Sequence, residues 1–436
     1  MRNTYFIDTM GCQMNERDSE TIAGVLESLG LHAVASPADA RVIVLNTCAV
    51  REKPVHKVFS RLGDLRRQKR ENPGTVIVVA GCVAQTSQDE LRARAPFVDV
   101  ILGPRSIAGL AEAVREASGQ QLVLADDANI IPEGLPFRRT ESVNAFVNVG
   151  YGCDNFCAYC IVPFARGREQ SRAPEDVVAE VADAVDSGRP EVTLLGQNVN
   201  SYRGCAATGD TVDFPTLLRR VDAVDGLRRL RFTTSHPKDL SPALLQAMAE
   251  LPTVCEHLHL PIQSGDDEIL ERMGRGYTLA RYLEIVRHAR ELIPGIALTT
   301  DVMVGFPGET PEQFERTLAA FEKIRYDQAF MFMYNDRPGT RAASYPDKVD
   351  EGAKLERLQR LVELQNVISR AKNQEELGGI VEVLVEGPDE KSPGHLRGRT
   401  RTNKLVIFPS PALPAGSFVN VLTREAFLWG FKGEPA

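Results

Sequence analysis

The sequence lacks the features that would direct the chain into a membrane or a secretory pathway. No stretch of its 436 residues approaches the ~20 consecutive apolar residues that span a bilayer. Residues 1–10 lack the charged and then apolar pattern of a signal peptide. We therefore expect a cytoplasmic protein without a membrane-spanning segment.

The chain also has no excess of positive charge. Its net charge is −8, which argues against a protein that coats nucleic acid indiscriminately. Residues 61–70 and 397–404 are locally basic and have the charge for a nucleic-acid patch. On charge alone, a solvated helix or strand face is the favoured interpretation of both segments.

Cysteines are few, eight in the whole chain. Disulfides are rare in the cytosol, so these residues are expected to be metal ligands or catalytic thiols and not a disulfide framework.

Residues 1–125 alternate short apolar runs with helical patterns such as 16–29. The runs lie at 5–9, 42–45, 76–79, 98–102 and 121–124. Near-continuous apolar strands separated by helices predict an α/β domain with a doubly wound parallel sheet. Residues 126–143 contain Pro132 and Pro136 without periodicity and predict a linker.

The alternation of strands and helices resumes over residues 144–376. Helical stretches separate six strand-like runs. The strand-like runs lie at 145–150, 191–196, 229–234, 257–261, 297–304 and 328–334. A helical stretch at 266–292 is expected to break at 274–276. Six units are too few for a closed eight-stranded barrel and predict an open, partial (β/α)6 barrel. An amphipathic helix over 350–376 should follow, with a core-facing stripe at Leu355, Leu358, Leu361, Val362, Leu364 and Ile368.

The last residues, 377–436, have a different character. Short strands at 380–385, 395–400, 404–408 and 418–422 are separated by Gly/Pro turns. They predict a small all-β, OB-like barrel as a third domain. Trp429, the single tryptophan, is interpreted as a barrel core residue in preference to a base-stacking one.

Cys153, Cys157 and Cys160 follow the first strand of the central domain. Three thiolates within eight residues can ligate three irons of a four-iron cluster and leave one iron open. An open iron can chelate the amino and carboxylate groups of a methionine-type ligand and pass it one electron. A zinc site would need a fourth ligand nearby, and residues 161–204 contain neither Cys nor His.

This cysteine spacing resembles that of the radical S-adenosylmethionine superfamily. The resemblance implies a reduced [4Fe-4S] cluster that cleaves S-adenosylmethionine to methionine and a 5′-deoxyadenosyl radical. It also implies that Tyr159 packs near the adenine of the cofactor.

Further cofactor contacts are predicted by position, because active sites in such barrels gather at the carboxyl ends of strands. The candidates are Gly196, Gln197, Asn198, Ser235, Gln263, Ser264 and Asp301. A turn or capping role is the alternative for each.

A second set of cysteines, Cys12, Cys48 and Cys82, is dispersed in sequence. Each follows an apolar strand by a few residues. The carboxyl ends of neighbouring parallel strands open onto one crevice, so we expect the three thiols to converge on a second metal site. The alternative is three buried cysteines acting as small apolar residues.

Both sets together resemble the methylthiotransferase family along the whole chain. Five blocks carry the resemblance, at 11–15, 46–53, 195–200, 233–237 and 305–309. The resemblance implies two [4Fe-4S] clusters, of which the second supplies or carries sulfur. One S-adenosylmethionine would methylate that sulfur and another would generate the radical. The C-terminal barrel resembles a TRAM domain, an RNA-binding module, which makes 397–404 an expected tRNA contact.

The extension from Arg51 to Lys53 resembles the branch that adds a methylthio group to C2 of N6-dimethylallyladenosine at position 37, in the tRNA anticodon stem-loop. The alternatives in the family are threonylcarbamoyladenosine in tRNA and a ribosomal protein aspartate. Arg166 and Arg168 are candidates for binding a carboxylate or a phosphate. An RNA-binding scaffold with an electron-transfer cluster is the alternative from another class.

The reaction would require an external electron donor of flavodoxin or ferredoxin type and a sulfur or cluster donor. A monomer is expected. Cys205 and Cys255 fit neither cysteine set and are predicted to be structural. For His257 and His259, packing is favoured over metal binding.

Overall fold

The computed structural model describes residues 3–49, 52–117, 121–125, 133–410 and 413–436, with residues 52–56 described by their backbone alone. The chain forms two compact units. One comprises Met1–Glu141, Gly150–Phe156 and Cys160–Gln170, and the other Ser142–Val149, Cys157–Tyr159 and Ser171–Ala436. In the described ranges, no helix is both long and apolar enough to cross a membrane.

The first unit contains a six-stranded, entirely parallel sheet in the order β2-β1-β3-β4-β5-β6. Its strands are β1 (Thr4–Met10), β2 (His32–Ala33), β3 (Val42–Thr47), β4 (Val76–Gly81), β5 (Val100–Leu102) and β6 (Leu122–Leu124). Its helices are α1 (Gln13–Ser28), α2 (Glu52–Glu71), α3 (Cys82–Thr86), α4 (Gln88–Arg94) and α5 (Leu110–Glu116).

Alternate residues of β3 supply two separate cores. Ile43 and Leu45 pack on one face of the sheet with residues of α2 and α3, and Val42 and Val44 pack on the other face with residues of α1 and α5. Helices on both faces explain why β3 and β4 are apolar without alternation. The prediction of a doubly wound sheet is confirmed. The unpredicted β2 is a two-residue exposed strand with no apolar signal.

The second unit contains six parallel strands in chain order, arranged as two three-stranded sheets, β13-β10-β7 and β14-β15-β16. All six correspond to predicted runs, and the prediction of a partial barrel is confirmed. The strands between residues 144 and 333, of which β8 belongs to the first unit, are β7 (Asn144–Asn148), β8 (Gly150–Tyr151), β9 (Gln170–Ser171), β10 (Glu191–Leu195), β11 (Arg203–Cys205), β12 (Thr211–Asp213), β13 (Arg229–Phe232), β14 (His257–His259), β15 (Ala297–Val304) and β16 (Gln328–Met333).

Eight helices follow in the chain, and seven of them lie in helical stretches that the sequence predicts; the first and shortest, which belongs to the first unit, was not predicted. They are α6 (Val162–Arg166), α7 (Pro174–Asp186), α8 (Phe214–Asp222), α9 (Pro242–Glu250), α10 (Asp267–Met273), α11 (Leu279–Leu292), α12 (Pro311–Ile324) and α13 (Glu351–Glu375). The predicted break at 274–276 separates α10 from α11, and Gly274 ends α10 in a left-handed conformation. Single 3-10 turns occupy Pro37–Asp39, Ile107–Gly109, Val199–Ser201, Pro237–Asp239 and Arg341–Ser344.

Helix α13 buries a more polar face than its leucine pattern predicts. Leu361 and Ile368 are buried as expected, but Leu355 is exposed. Arg357 takes a place on the buried face, where its guanidinium lies 2.7 Å from the buried carboxylate of Glu309. The spacing of apolar residues along a helix does not predict such a polar contact.

The C-terminal residues form a closed five-stranded barrel in the order β17-β18-β19-β21-β20. Its strands are β17 (Ile380–Pro388), β18 (His395–Thr400), β19 (Leu405–Pro409), β20 (Phe418–Phe427) and β21 (Gly430–Pro435). The sequence did not predict β21, because glycine and proline mark turns. Gly430 is required there, since a Cβ would lie 1.8 Å from the Leu405 carbonyl oxygen.

Trp429 is 60% exposed, so its interpretation as a barrel core residue is wrong. The core of the barrel consists of smaller aliphatic residues with two phenylalanines: Val383, Val385, Leu396, Val406, Phe408, Val421 and Phe431.

Two buried arginines of β13 join the barrel to the rest of the second unit. Arg229 donates to the carbonyl of Arg399 (2.8 Å) and to both the carbonyl (3.0 Å) and carboxylate (2.8 Å) of Glu382. Arg231 donates to the carbonyls of Arg401 (2.8 Å) and Thr400 (2.7 Å). Charge-assisted bonds to main-chain carbonyls fix both the position of the barrel and its orientation relative to β13.

We predict that Arg229→Leu destabilises the second unit by about 3 kcal/mol, because it leaves buried acceptors without donors. Urea unfolding followed by circular dichroism measures the change. The matched control is Arg228→Leu, since the neighbouring Arg228 side chain is 57% exposed and 3.7 Å from Glu382. Equal midpoints for the two variants would contradict the prediction.

Candidate active site

Cys12, Cys48 and Cys82 lie at one edge of the parallel sheet. Met10 pairs with Thr47, and Thr47 pairs with Gly81, so β1, β3 and β4 end at the same level. Each cysteine follows within two residues. Gly11 is needed for the approach, because a Cβ there would lie 2.9 Å from the Cys48 Cβ. The structure therefore brings together the three cysteines that the sequence predicted to converge.

A buried amide network supports this edge. Asn15 Nδ2 donates to Asn46 Oδ1 (3.1 Å) and to the Thr47 carbonyl (3.0 Å). Asn46 Nδ2 donates in return to the Asn15 carbonyl (2.8 Å) and to Ser19 Oγ (2.9 Å). The Cys12 thiol is 3.4 Å from Asn15 Oδ1. The network joins the start of α1 to the end of β3. It therefore fixes the positions of Cys12, which precedes α1, and Cys48, which follows β3.

The electrostatic surroundings favour a thiolate at Cys12. A hydrogen bond from Cys48 lowers the pKa of Cys12 to about 6, and the positive charge of Arg166 acts in the same direction. Burial raises the pKa of Cys82, and Arg166 opposes that increase. The thiolate is the form of cysteine that binds a metal.

Arg166 is buried, and its Nη2 lies 2.7 Å from Asp18 Oδ2. Its Nη1 is also buried and has no hydrogen-bond partner among the described residues. Arg168, in contrast, is exposed and forms two bonds to Asp154, of 2.7 and 3.0 Å. Neither guanidinium is therefore presented as an open carboxylate or phosphate site, which was the expectation from sequence.

Within the described ranges, no group of three His, Cys, Asp or Glu side chains is arranged around a single ion position. A four-iron cluster makes a different demand, since it distributes three thiolates over three irons. Three cysteines, one with a depressed pKa and two of them, Cys12 and Cys82, near the buried cation of Arg166, fit such a cluster by the chemistry of their donors.

The segment of Cys153, Cys157 and Cys160 contributes to both units. Cys153 and Cys157 are buried and Cys160 is half-buried. In the first unit, the Cys153 N–H donates to the Gly167 carbonyl (3.2 Å). In the second unit, the Ala158 N–H donates to the Met273 carbonyl and the Ala158 carbonyl accepts from Ala342, both at 2.8 Å.

Arg275 lies next to Cys157, and the sequence did not reveal it. Its Nη1 is 3.3 Å from Cys157 Sγ and 3.4 Å from the hydroxyl of Tyr159, the residue expected near the cofactor adenine. The sequence pattern around Arg275 indicated only the helix break. A charged residue between two glycines at the predicted break was the available signal.

The predicted cofactor contacts lie mainly where a barrel site requires them. Gly196 and Gln197 follow β10, Ser235 follows β13, and Gln263 follows β14. Gln263 has a φ of 65°, an unusual conformation for this residue type. Asp301 lies inside β15 and not at its end, because β15 extends three residues further.

Four neighbouring polar atoms at these loops are buried and lack a hydrogen-bond partner within the described part of the chain: Gln197 Oε1, Asn198 Oδ1, Ser235 Oγ and His236 Nε2. The loops are joined by two bonds between Asn200 and His236, of 2.8 and 2.9 Å. An unsatisfied buried polar atom costs about 1–3 kcal/mol, so this lining fits a ligand with several polar groups. S-adenosylmethionine is such a ligand.

His236 is a hydrogen-bond donor in this lining. Burial, together with Arg275 and Lys238, lowers the pKa of His236 to about 2, so the imidazole is neutral. Its Nδ1 accepts from the Lys238 N–H (3.2 Å), which places the proton on Nε2. The block 233–237 contained this histidine without indicating its role.

His257 and His259 do not form a metal site with other residues described here. Their ring nitrogens both contact Thr299 Oγ1, at 3.1 and 3.0 Å, and His259 lies 3.7 Å from Asp301. Cys255 is buried, in agreement with a structural role, whereas Cys205 is exposed.

The basic segment 397–404 is largely occupied by ion pairs within the second unit. Arg399 is paired with Glu386 (3.2 Å), Arg401 with Glu256 (2.8 Å), and Lys404 with Glu376 and Asp327. Arg397 is more loosely held, 3.7 Å from Glu386, with a side chain 43% exposed. Arg397 is therefore the residue of this segment whose charge is most available for the expected tRNA contact.

Three known families match successive parts of the sequence. Residues 4–103 match the uncharacterized protein family UPF0004, residues 147–321 the Radical SAM superfamily, and residues 374–426 the TRAM domain.

Curated relatives match the whole chain. A tRNA-2-methylthio-N(6)-dimethylallyladenosine synthase from Moorella thermoacetica is 49% identical, over 99% of this chain and 98% of that protein. A protein of the same name from Carboxydothermus hydrogenoformans is 47% identical, over 99% and 98%.

Solved structures are similar in fold alone. The radical S-adenosylmethionine methyltransferase TsrM from Kitasatospora setae, with cobalamin and a [4Fe-4S] cluster bound, has a TM-score of 0.57 at 16% identity, over 79% of this chain and 77% of that one. The cobalamin-dependent radical enzyme OxsB has a TM-score of 0.51 at 14% identity, over 83% and 56%.

We predict that Cys12 of the metal-free protein is alkylated by iodoacetamide with a half-maximal rate near pH 6, its pKa being about 6. Cys48→Ala should shift this profile to higher pH, because it removes the hydrogen bond that stabilises the thiolate. Mass spectrometry of the Cys12 peptide measures the rate at each pH. Arg168→Leu, at an exposed arginine paired with Asp154, is the control and should leave the profile in place. An unshifted profile in Cys48→Ala would contradict the assignment.

Proposed function

The chain belongs to the family of tRNA-2-methylthio-N(6)-dimethylallyladenosine synthases, and we propose that it adds a methylthio group to C2 of N6-dimethylallyladenosine at position 37 of tRNA. It is a radical S-adenosylmethionine tRNA methylthiotransferase that uses S-adenosylmethionine and [4Fe-4S] clusters. The observation that carries the choice of substrate is the 49% identity to a relative of this name over 99% of the chain.

Two cysteine sets are proposed to hold two clusters. Cys153, Cys157 and Cys160 would ligate the cluster that binds S-adenosylmethionine, which is supported by their spacing and by the polar lining of the barrel loops. Cys12, Cys48 and Cys82 would ligate the second cluster, which is supported by the common edge of β1, β3 and β4. When bound, these groups supply the reductive cleavage of S-adenosylmethionine and the sulfur for transfer.

The residues of the chain are proposed to bind and orient S-adenosylmethionine and the clusters. Gln197, Ser235 and the Nε2–H of His236 provide buried polar atoms for the cofactor. Tyr159 would pack near its adenine, and Gly196, Gln263 and Asp301 remain candidates for further contacts. Arg166 provides positive charge beside the second cysteine set.

The dimethylallyl group distinguishes the proposed substrate from its alternatives. Burial of its five carbons contributes at most ~4 kcal/mol, at ~0.8 kcal/mol per methylene. The threonylcarbamoyl alternative carries a carboxylate and would need a cation in the substrate pocket. Arg166 and Arg168 were the candidates for that role, and their pairing with Asp18 and Asp154 disfavours it.

The RNA substrate is proposed to be the anticodon stem-loop, whose single-stranded bases can be moved into a pocket. An electron donor of flavodoxin or ferredoxin type and a sulfur or cluster donor are proposed as protein partners. The enzyme is proposed to act as a monomer in the cytoplasm.

The direct test supplies the reconstituted enzyme with two anticodon stem-loops, one carrying the dimethylallyl and the other the threonylcarbamoyl group. We expect methylthio product from the first alone, detected by mass spectrometry of the nucleosides. Product from the threonylcarbamoyl loop alone would overturn the substrate and leave the type of reaction intact.

The two clusters should be separable by mutation. We predict about eight irons per anaerobically reconstituted chain, four in each cluster. Replacing Cys153, Cys157 and Cys160 by Ala should halve the iron and abolish 5′-deoxyadenosine formation. Replacing Cys12, Cys48 and Cys82 should halve the iron but leave some cleavage of S-adenosylmethionine, with no methylthio product. Full iron and full product in the second variant would refute the second cluster.

Two arginines of the barrel should respond differently to mutation. We predict that Arg397→Ala reduces the slope of log affinity for tRNA against log salt concentration by about 1, as one phosphate contact is lost. Arg401→Ala should leave the slope unchanged and lower the urea midpoint, because it breaks the pair with Glu256. A reduced slope in Arg401→Ala, with none in Arg397→Ala, would contradict this distinction.

A further inference from the structure

Arg275 is a buried cation that has no carboxylate partner in the part of the chain that the structure describes. Arg275 is 5% exposed, and no carboxylate of the described residues forms an ion pair with its guanidinium. Seven arginines are buried in the described ranges, and each of the other six lies within 4.0 Å of a carboxylate: Arg17, Arg166, Arg172, Arg229, Arg231 and Arg357. Arg275 is thus the exception among the buried arginines of the described residues, since the other six are paired with acids.

A buried charge is costly unless an opposite charge and hydrogen bonds compensate it. The donors of Arg275 are satisfied by neutral groups on two sides: Nε contacts the Tyr277 hydroxyl and Nη2 the Pro261 carbonyl, both at 3.3 Å. On the third side, Nη1 contacts Cys157 Sγ (3.3 Å) and the Tyr159 hydroxyl (3.4 Å). Cys157 is the one of these groups that becomes an anion when it ligates iron.

The guanidinium is held in a fixed orientation. The Arg275 N–H donates to the Leu270 carbonyl (2.9 Å), and the guanidinium carbon lies 5.4 Å from the ring centroid of Tyr277. The Tyr277 hydroxyl is itself anchored on the Ile262 carbonyl (2.7 Å). The guanidinium is therefore preorganised to place its positive charge next to Cys157.

We propose that Arg275 is a positioning residue for the cluster that binds S-adenosylmethionine: its cation pairs with the Cys157 thiolate and raises the reduction potential of that cluster. This inference rests on the proposed function, since it takes Cys157 as a cluster ligand. Reduction adds one negative charge to a buried group, and an adjacent cation stabilises the product more than the reactant. Hydrogen bonds to the sulfurs and local charge are known determinants of such potentials.

The experiment is an EPR-monitored redox titration of the holoenzyme. The signal that changes on addition of S-adenosylmethionine identifies the cluster ligated by Cys157, and the other cluster is the internal reference. Arg275→Gln should lower the equilibrium constant for reduction of the first cluster about tenfold, or 59 mV for one electron, and leave the reference in place. Arg275→Lys should retain most of the potential. Arg281→Gln, at an exposed arginine paired with Glu284, is the matched control and should change neither cluster.

An unchanged potential in Arg275→Gln, with the S-adenosylmethionine-responsive signal present, would overturn the inference and leave the proposed function standing. The lack of any responsive signal in the unaltered holoenzyme would instead defeat the proposed function. If Arg275→Gln does not retain the first cluster, Arg275→Lys decides: iron restored by the lysine charge supports the pairing, and iron as low as in Arg275→Gln overturns it.

Discussion

The candidate metal site of the first unit depends on the register of three parallel strands. Because β1, β3 and β4 are aligned from Met10 through Thr47 to Gly81, residues far apart in sequence leave the sheet at one edge. Parallel strands impose this result wherever ligands follow them directly. A slip of one residue in β3 would move Cys48 to the opposite face and separate it from Cys12. The amide network of Asn15 and Asn46 protects the same alignment.

Both candidate sites contain a buried positive charge next to a cysteine. Arg166 lies near Cys12 and Cys82 and has Asp18 as its partner, whereas Arg275 contacts Cys157 and pairs with no carboxylate among the described residues. Three thiolates around a cluster give a net negative group, and a cation fixed in a low-dielectric environment stabilises it. The two cations therefore differ in strength. Arg166 is partly neutralised by Asp18, so it exerts a weaker field on its thiolates than Arg275 exerts on Cys157.

The sequence predicted the parts of this arrangement that follow from repeated local patterns. Continuous apolar runs such as those of β3 and β4 require a sheet covered on both faces, and the cysteines after them had to share an edge. Contacts between remote polar groups were not predictable, because no periodicity marks them. Arg275 near Cys157 and Arg401 on Glu256 are such contacts, and the second changed the interpretation of a basic segment. The strand that begins at Gly430 was missed because its glycine serves a close approach and not a turn.

By its proposed function, this chain completes the modification of an adenosine that already carries a dimethylallyl group. The most direct measurement is mass spectrometry of the tRNA nucleosides from cells with the gene deleted and from the same cells complemented with it. We expect that deletion abolishes 2-methylthio-N6-dimethylallyladenosine, that N6-dimethylallyladenosine accumulates in its place, and that complementation restores the methylthio form. Retention of the methylthio nucleoside in the deletion strain, or loss of a methylthio-threonylcarbamoyl nucleoside instead, would contradict the proposed function.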